Sequence, residues 1–183
     1  TTVREICSAA RVAPGSFYLF FPSKDEIYAE VLVEAVAGQR ERNAAIAARE
    51  LPASAEARDP ERAIRGFLAR MVADIEGDPI LAQFHRKDSR EEAKRALAAA
   101  KGGAAFAEIS SGLDAVISGW IESGLVAGET ARIRKIVQAL IYLALNRSEI
   151  AGGSGPELVE SYVGFVAAGL ARSARPAGKE LST

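Results

Sequence analysis

TVREICSAARVAPGSFYLFFPSK, residues 2–24, is the stretch that decides the fold. Val3, Ile6, Cys7 and Ala10 fall three and four apart, so they share one face of a helix over about 2–9. Ala10-Arg11-Val12 turns the chain, and Pro14 opens a short second helix over 14–20, where a proline at the first helical position gives up no hydrogen bond. Two short helices joined by such a turn are the layout of a helix-turn-helix. Phe17 and Phe21 stand at i and i+4 and enter one small core, with Val12 plugging the turn. Tyr18 and Phe20 project from other faces, where a phenol can donate to a phosphate and a ring can press on sugars or thymine methyls. Gly15 and Ser16 lie at the helix start, where small side chains let the backbone approach base edges and the helix dipole favours phosphate. Lys24, just past Pro22, is placed to reach a phosphate flanking the groove.

Apolar spacings of three and four recur along the rest of the chain and no strand-like alternation of useful length occurs, which makes the protein all-α. Beyond the first two, helices are expected over about 23–48, 60–77, 79–86, 89–100, 104–124, 129–150 and 156–173. Asp59-Pro60 and Asp78-Pro79 are start signals, and Thr2 with Glu5, Ser23 with Glu26 and Ser89 with Glu92 have capping-box spacing. LPASAEARDP at 51–60 reads as a linker, Gly102-Gly103 and Gly152-Gly153 as helix-ending or hinge positions, and PAGKELST as a frayed tail.

Composition removes several function classes. His85 is the only histidine and Cys7 the only cysteine, and neither a GxSxG nucleophile motif nor Walker-A spacing occurs, so neither enzyme, metal site nor cofactor is expected. Glu108 and Asp114 break the longest apolar run, at 104–121, and no signal-peptide pattern opens the chain, which points to a reducing, cytoplasmic setting with no membrane partner. The net charge of -1 gives no general attraction to nucleic acid, so a DNA partner must meet a local patch, here Arg4, Arg11 and Lys24 against Glu5.

Thr2, Ile6, Ala10, Val12, Gly15, Tyr18, Phe21, Ser23, Lys24 and Ile27 fall in register with the pattern T-v-x-x-I-a-x-x-A-G-V-s-x-g-x-x-Y-x-h-F-x-s-K-x-x-L, and the segment resembles the DNA-binding domain of the TetR/AcrR family of transcriptional regulators. That resemblance implies phosphate contacts from Thr2 and Tyr18, base contacts from Gly15 and Ser16, and an anchoring contact from Lys24. It also implies a first helix upstream of Thr1, missing from these residues. Three positions depart from the pattern. Arg11 replaces the turn glycine, where a left-handed backbone costs roughly 1 to 3 kcal/mol and a phosphate contact is the compensation to expect. Ala13 replaces the serine cap, and Phe20 replaces a histidine.

The resemblance further implies a helix-turn-helix domain with its connecting helix over 1–48 and a ligand-binding and dimerisation domain over 49–183. Phe67, Met71, Phe84, Phe106, Ile117 and Trp120 are the candidate lining of a pocket for a small apolar ligand. The stripes of the two late helices are wider than one core face needs, and Ile133, Val137, Leu140, Tyr162, Phe165 and Val166 are the candidate homodimer seam. The expected function is a dimeric regulator, a repressor, that binds a palindromic operator and is released by the ligand. The alternative is a helical ligand-binding or protein-interaction module that has lost DNA binding.

Overall fold

The computed structural model describes residues 1–57, 59–86, 89, 91, 93, 95, 96, 98, 103–151 and 155–174, without the side chains of 50–57, 103–110 and 151. The described residues are helical with no strand. Their helices are α1 (Val3–Ala10), α2 (Pro14–Phe20), α3 (Lys24–Ala57), α4 (Pro60–Gly77), α5 (Pro79–His85), α6 (Gly103–Glu122), α7 (Thr130–Leu145), α8 (Arg147–Ala151) and α9 (Pro156–Ser173).

Local chemistry sets most helix starts. Asp59 caps α4 through the Arg62 amide at 3.0 Å, and Asp78 caps α5 through the amides of Ile80 and Leu81 at 2.9 and 3.1 Å. Proline follows each cap at the first helical position. The Ser23 hydroxyl accepts from the Glu26 amide at 3.2 Å and starts α3.

At about 1.5 Å per residue α3 is about 50 Å long, and it carries the first two helices at one end while its other turns pack on α4, α5 and α6. Its inward face is Ala29, Leu32, Val36, Asn43 and Ala47. Across from it lie Ile64, Phe67, Leu68, Met71 and Ile75 of α4 and Ile117 and Trp120 of α6, all in one core with Ile133, Val137 and Leu140 of α7 and Val163 and Ala167 of α9. Arg42 bridges α3 to Asp74 at 2.7 Å and to the capping residue Asp78 at 3.8 Å, so one guanidinium holds the junction of α4 and α5 against α3.

Three expectations change. The stretch read as a linker is helical as far as Ala57, past Pro52. The boundary expected after residue 48 therefore falls inside α3. The single helix expected over 129–150 is broken at Asn146, whose buried side-chain amide donates to the Tyr142 carbonyl at 2.8 Å and the His85 carbonyl at 3.5 Å. Of the helix expected over 89–100, residues 89, 91, 93, 95, 96 and 98 are helical, while Glu92 of the third capping box, Gly102, the Gly152-Gly153 pair and the tail from 176 lie outside the described residues.

Candidate nucleic-acid interface

α1, the turn and α2 form a head built on very little core. Cys7 and Phe17 are its two buried side chains, with Ile6 and Phe21 half-buried beside them. Phe17 meets the Tyr18 ring edge-on at 5.3 Å between centroids and the Phe21 ring at 5.6 Å.

A reciprocal capping box starts α1. The Glu5 amide donates to the Thr2 hydroxyl at 3.2 Å, and the Thr2 amide donates to the Glu5 carboxylate at 2.7 Å. That amide, and after it the Thr2 hydroxyl, holds the Glu5 carboxyl below the usual carboxylate range. The Thr2 hydroxyl is thus already engaged, and a phosphate approaching it competes with Glu5.

The end of α1 explains the turn. Val12 N–H donates to the Cys7 carbonyl at 3.0 Å and Arg11 N–H to the Ser8 carbonyl at 3.2 Å, the paired bonds of a Schellman motif with Arg11 as its left-handed residue. Arg11 has φ 56° and ψ 39°, the only positive φ outside glycine among the described residues. The same pairing ends α6, where Leu125 N–H donates to the Trp120 carbonyl and Gly124 N–H to the Ile121 carbonyl, and there glycine takes the left-handed position at φ 74°. One motif thus occurs twice, once with the residue that fits it and once with an arginine. Arg11→Gly should stabilise the head by about 1 kcal/mol, read as slower amide exchange over residues 3–20. Unchanged exchange would show that Arg11 carries no strain.

α2 begins without a side-chain cap. Ala13 supplies only its carbonyl, to Ser16 N–H at 2.9 Å, so the start of α2 forgoes about 1 kcal/mol that a serine would give. Thr2, Arg11, Gly15, Tyr18 and Phe20 are exposed, and Ser16 and Lys24 half-buried. Tyr18 exposes 57% of its surface, Phe20 76% and Leu19 81%. Leu19 was missed at the sequence level, although a helical wheel finds it: at 100° per residue it lies about 180° from the mean direction of Phe17 and Phe21.

Residues 1–31 match the family model for bacterial regulatory proteins of the tetR family. The head is a tetR-family helix-turn-helix. Searches of curated proteins and of solved structures return no match. The tetR-family segment thus covers α1, α2 and the first turns of α3, and the body stands on its own physical description.

In that body the expected ligand lining is buried wherever it is described. Phe67, Met71, Ile117 and Trp120 are almost fully buried and Phe84 is buried; Phe67 and Trp120 meet edge-on at 5.1 Å, and the Phe106 side chain lies outside the described residues. Open apolar space lies on the α3 side of α6, in a cleft of about 460 Å³ lined by Arg40, Ala44, Ala47, Gly112, Val116 and Gly119. Ile133, Val137 and Leu140 are buried in the core of their own chain. Tyr162 and Val166 are half-buried, and Phe165 stands out at 83% exposed. Among the described residues no group of three His, Cys, Asp or Glu could hold a metal ion, and no helix is long and apolar enough to cross a membrane.

Proposed function

We propose that this protein is a dimeric transcriptional repressor of the tetR type, which binds an inverted-repeat operator through two copies of the head and leaves it when a small apolar molecule enters the body. The observation that carries the reading is the outward face of α2, formed by Gly15, Ser16, Leu19 and Phe20 on a helix whose opposite face is anchored by Phe17. Tyr18, Arg11 and Lys24 stand around that face as phosphate contacts, with Thr2 at the start of α1. Two turns of helix read only a few base pairs, so two heads on a shared trunk supply the length of sequence that a regulator needs.

The body is the proposed receiver for the ligand. A molecule in the apolar cleft between α3 and α6 would press directly on the helix that carries the head, and would reach the core through Val116, adjacent in sequence to Ile117 and one turn from Trp120. α5 offers a second line of coupling. Its Ile80 and Gln83 line one side of an open cleft that Ile6 and Ile27 line on the other. A ligand that prefers the head spacing unfit for DNA lowers operator affinity by its own preference, typically about 5- to 150-fold.

The test is selection from random duplexes by the full-length chain at physiological salt. Recovery of one inverted repeat is the expected result, and binding no tighter than to bulk DNA would refute the reading in favour of a helical ligand-binding or protein-interaction module. On the selected duplex, Arg11→Gly should also reduce the slope of log affinity against log salt by about 0.9, the loss of one phosphate contact.

A further inference from the structure

We infer that Leu19 and Phe20 read thymine C5-methyl groups, so that the operator is specified by apolar contact with thymines and not by side-chain hydrogen bonds from α2. This rests on the proposed DNA-binding reading and gives that site its chemical preference.

α2 has the sequence PGSFYLF, which contains no arginine, lysine, asparagine or glutamine. Those are the side chains that make two-point hydrogen bonds to the edges of guanine or adenine. The polar groups left on α2 are the half-buried Ser16 hydroxyl and the Tyr18 phenol, and Tyr18 lies about 100° around the helix from Leu19, toward the rim of the outward face. At the centre of that face stands Leu19, with Gly15 one turn before it at i−4, Ser16 at i−3 and Phe20 beside it.

Leu19 and Phe20 are the two most exposed large apolar side chains of the head, adjacent in sequence and continuous with the surface that Gly15 and Ser16 present. In the major groove the one apolar feature of any base pair is the thymine methyl, at C5 beside the O4 acceptor. A leucine and a phenyl ring pressed into the groove gain apolar burial where a methyl projects, and gain none against the bare C5–H of a cytosine. Gly15, with open space where a Cβ would stand, lets the start of the helix sink far enough for these side chains to arrive.

The experiment uses the full-length chain and the duplexes recovered by selection. Each thymine of the selected half-site is replaced by uracil, one at a time, which deletes a methyl group and leaves every hydrogen-bonding atom in place. At the thymines under α2 the affinity should fall roughly 3- to 5-fold per methyl. Leu19→Ala and Phe20→Ala, at positions too exposed to disturb folding, should each bind the thymine and uracil duplexes more nearly equally. Equal affinity of the native chain for all thymine and uracil versions of a selected site overturns the inference and leaves the DNA-binding reading standing. Uracil sensitivity that persists undiminished in both variants overturns the assignment to these two residues, and failure to select any sequence overturns the inference together with the reading beneath it.

Discussion

Replacing Phe17 by alanine should abolish operator binding while leaving the helical body folded. Phe17 is 5% exposed and holds both Tyr18 and Phe21 by ring contacts, and Cys7 is the one other buried side chain of the head. Truncating a buried phenylalanine costs about 3 to 5 kcal/mol, whereas a segment of about twenty residues commands only a few kcal/mol of stability at typical values per residue. The loss exceeds what α1 and α2 themselves contribute. The body keeps its own core around Phe67, Met71 and Trp120, which makes no use of Phe17. Far-UV circular dichroism should therefore fall only slightly, while amide protection over residues 3–20 and binding to the selected duplex disappear together. Native affinity in this variant would show that Phe17 does not hold the reading surface in place.

The head is the part most fully legible in sequence, because its determinants are local. α2 spans Pro14–Phe20 as the proline start and the aromatic spacing require, α4 spans Pro60–Gly77 behind its Asp59 cap, and α9 spans Pro156–Ser173. Tertiary contacts account for what the sequence hides. The break at Asn146 pairs a local bond to the Tyr142 carbonyl with a long-range one to the His85 carbonyl, 61 residues earlier in the chain, and that second bond no local pattern shows. The arginine turn was legible as a departure, and its left-handed backbone is what the position demands whichever residue fills it.

The candidate sites of the body were less legible, for a physical reason. A helical apolar stripe states that a face is covered and is silent on what covers it. Ile133, Val137 and Leu140 form such a stripe, and the cover is the chain's own core. Phe67 and Trp120, which meet edge-on, likewise look the same in sequence whether they line a cavity or fill the space themselves. Phe165 is different, because it lies beside the buried line of Val163, Ala167 and Leu170 instead of within it. An apolar residue off the core line was the signal that separates an outer face from an inner one.

That separation leads to the largest effect expected on assembly. Phe165→Asp should convert the proposed dimer to a monomer at micromolar concentration. Leu158, Tyr162, Phe165 and Gly169 recur at intervals of four, three and four on the outer side of α9, and the neighbouring α7 exposes Ile136 and Ala139 and half-exposes Leu143. Two such helices paired about a twofold axis would bury Phe165 near the centre of a four-helix contact, where an aromatic anchor typically contributes 2 kcal/mol or more. Aspartate there removes the anchor and places two carboxylates, one from each copy, in a dry and mutually repulsive position. The substitution leaves the fold of each subunit alone, since the ring touches little of its own chain. Separating the subunits also ends the tethering that lets a second head bind once the first is seated, a gain of about 10²- to 10⁴-fold in affinity. Sedimentation equilibrium and duplex binding should therefore change together: a monomer that still recognises a single half-site, with affinity for the full inverted repeat reduced by at least about 100-fold. A Phe165→Asp protein that sediments as a dimer would place the twofold contact elsewhere, and a monomer that keeps native affinity would mean that one head suffices.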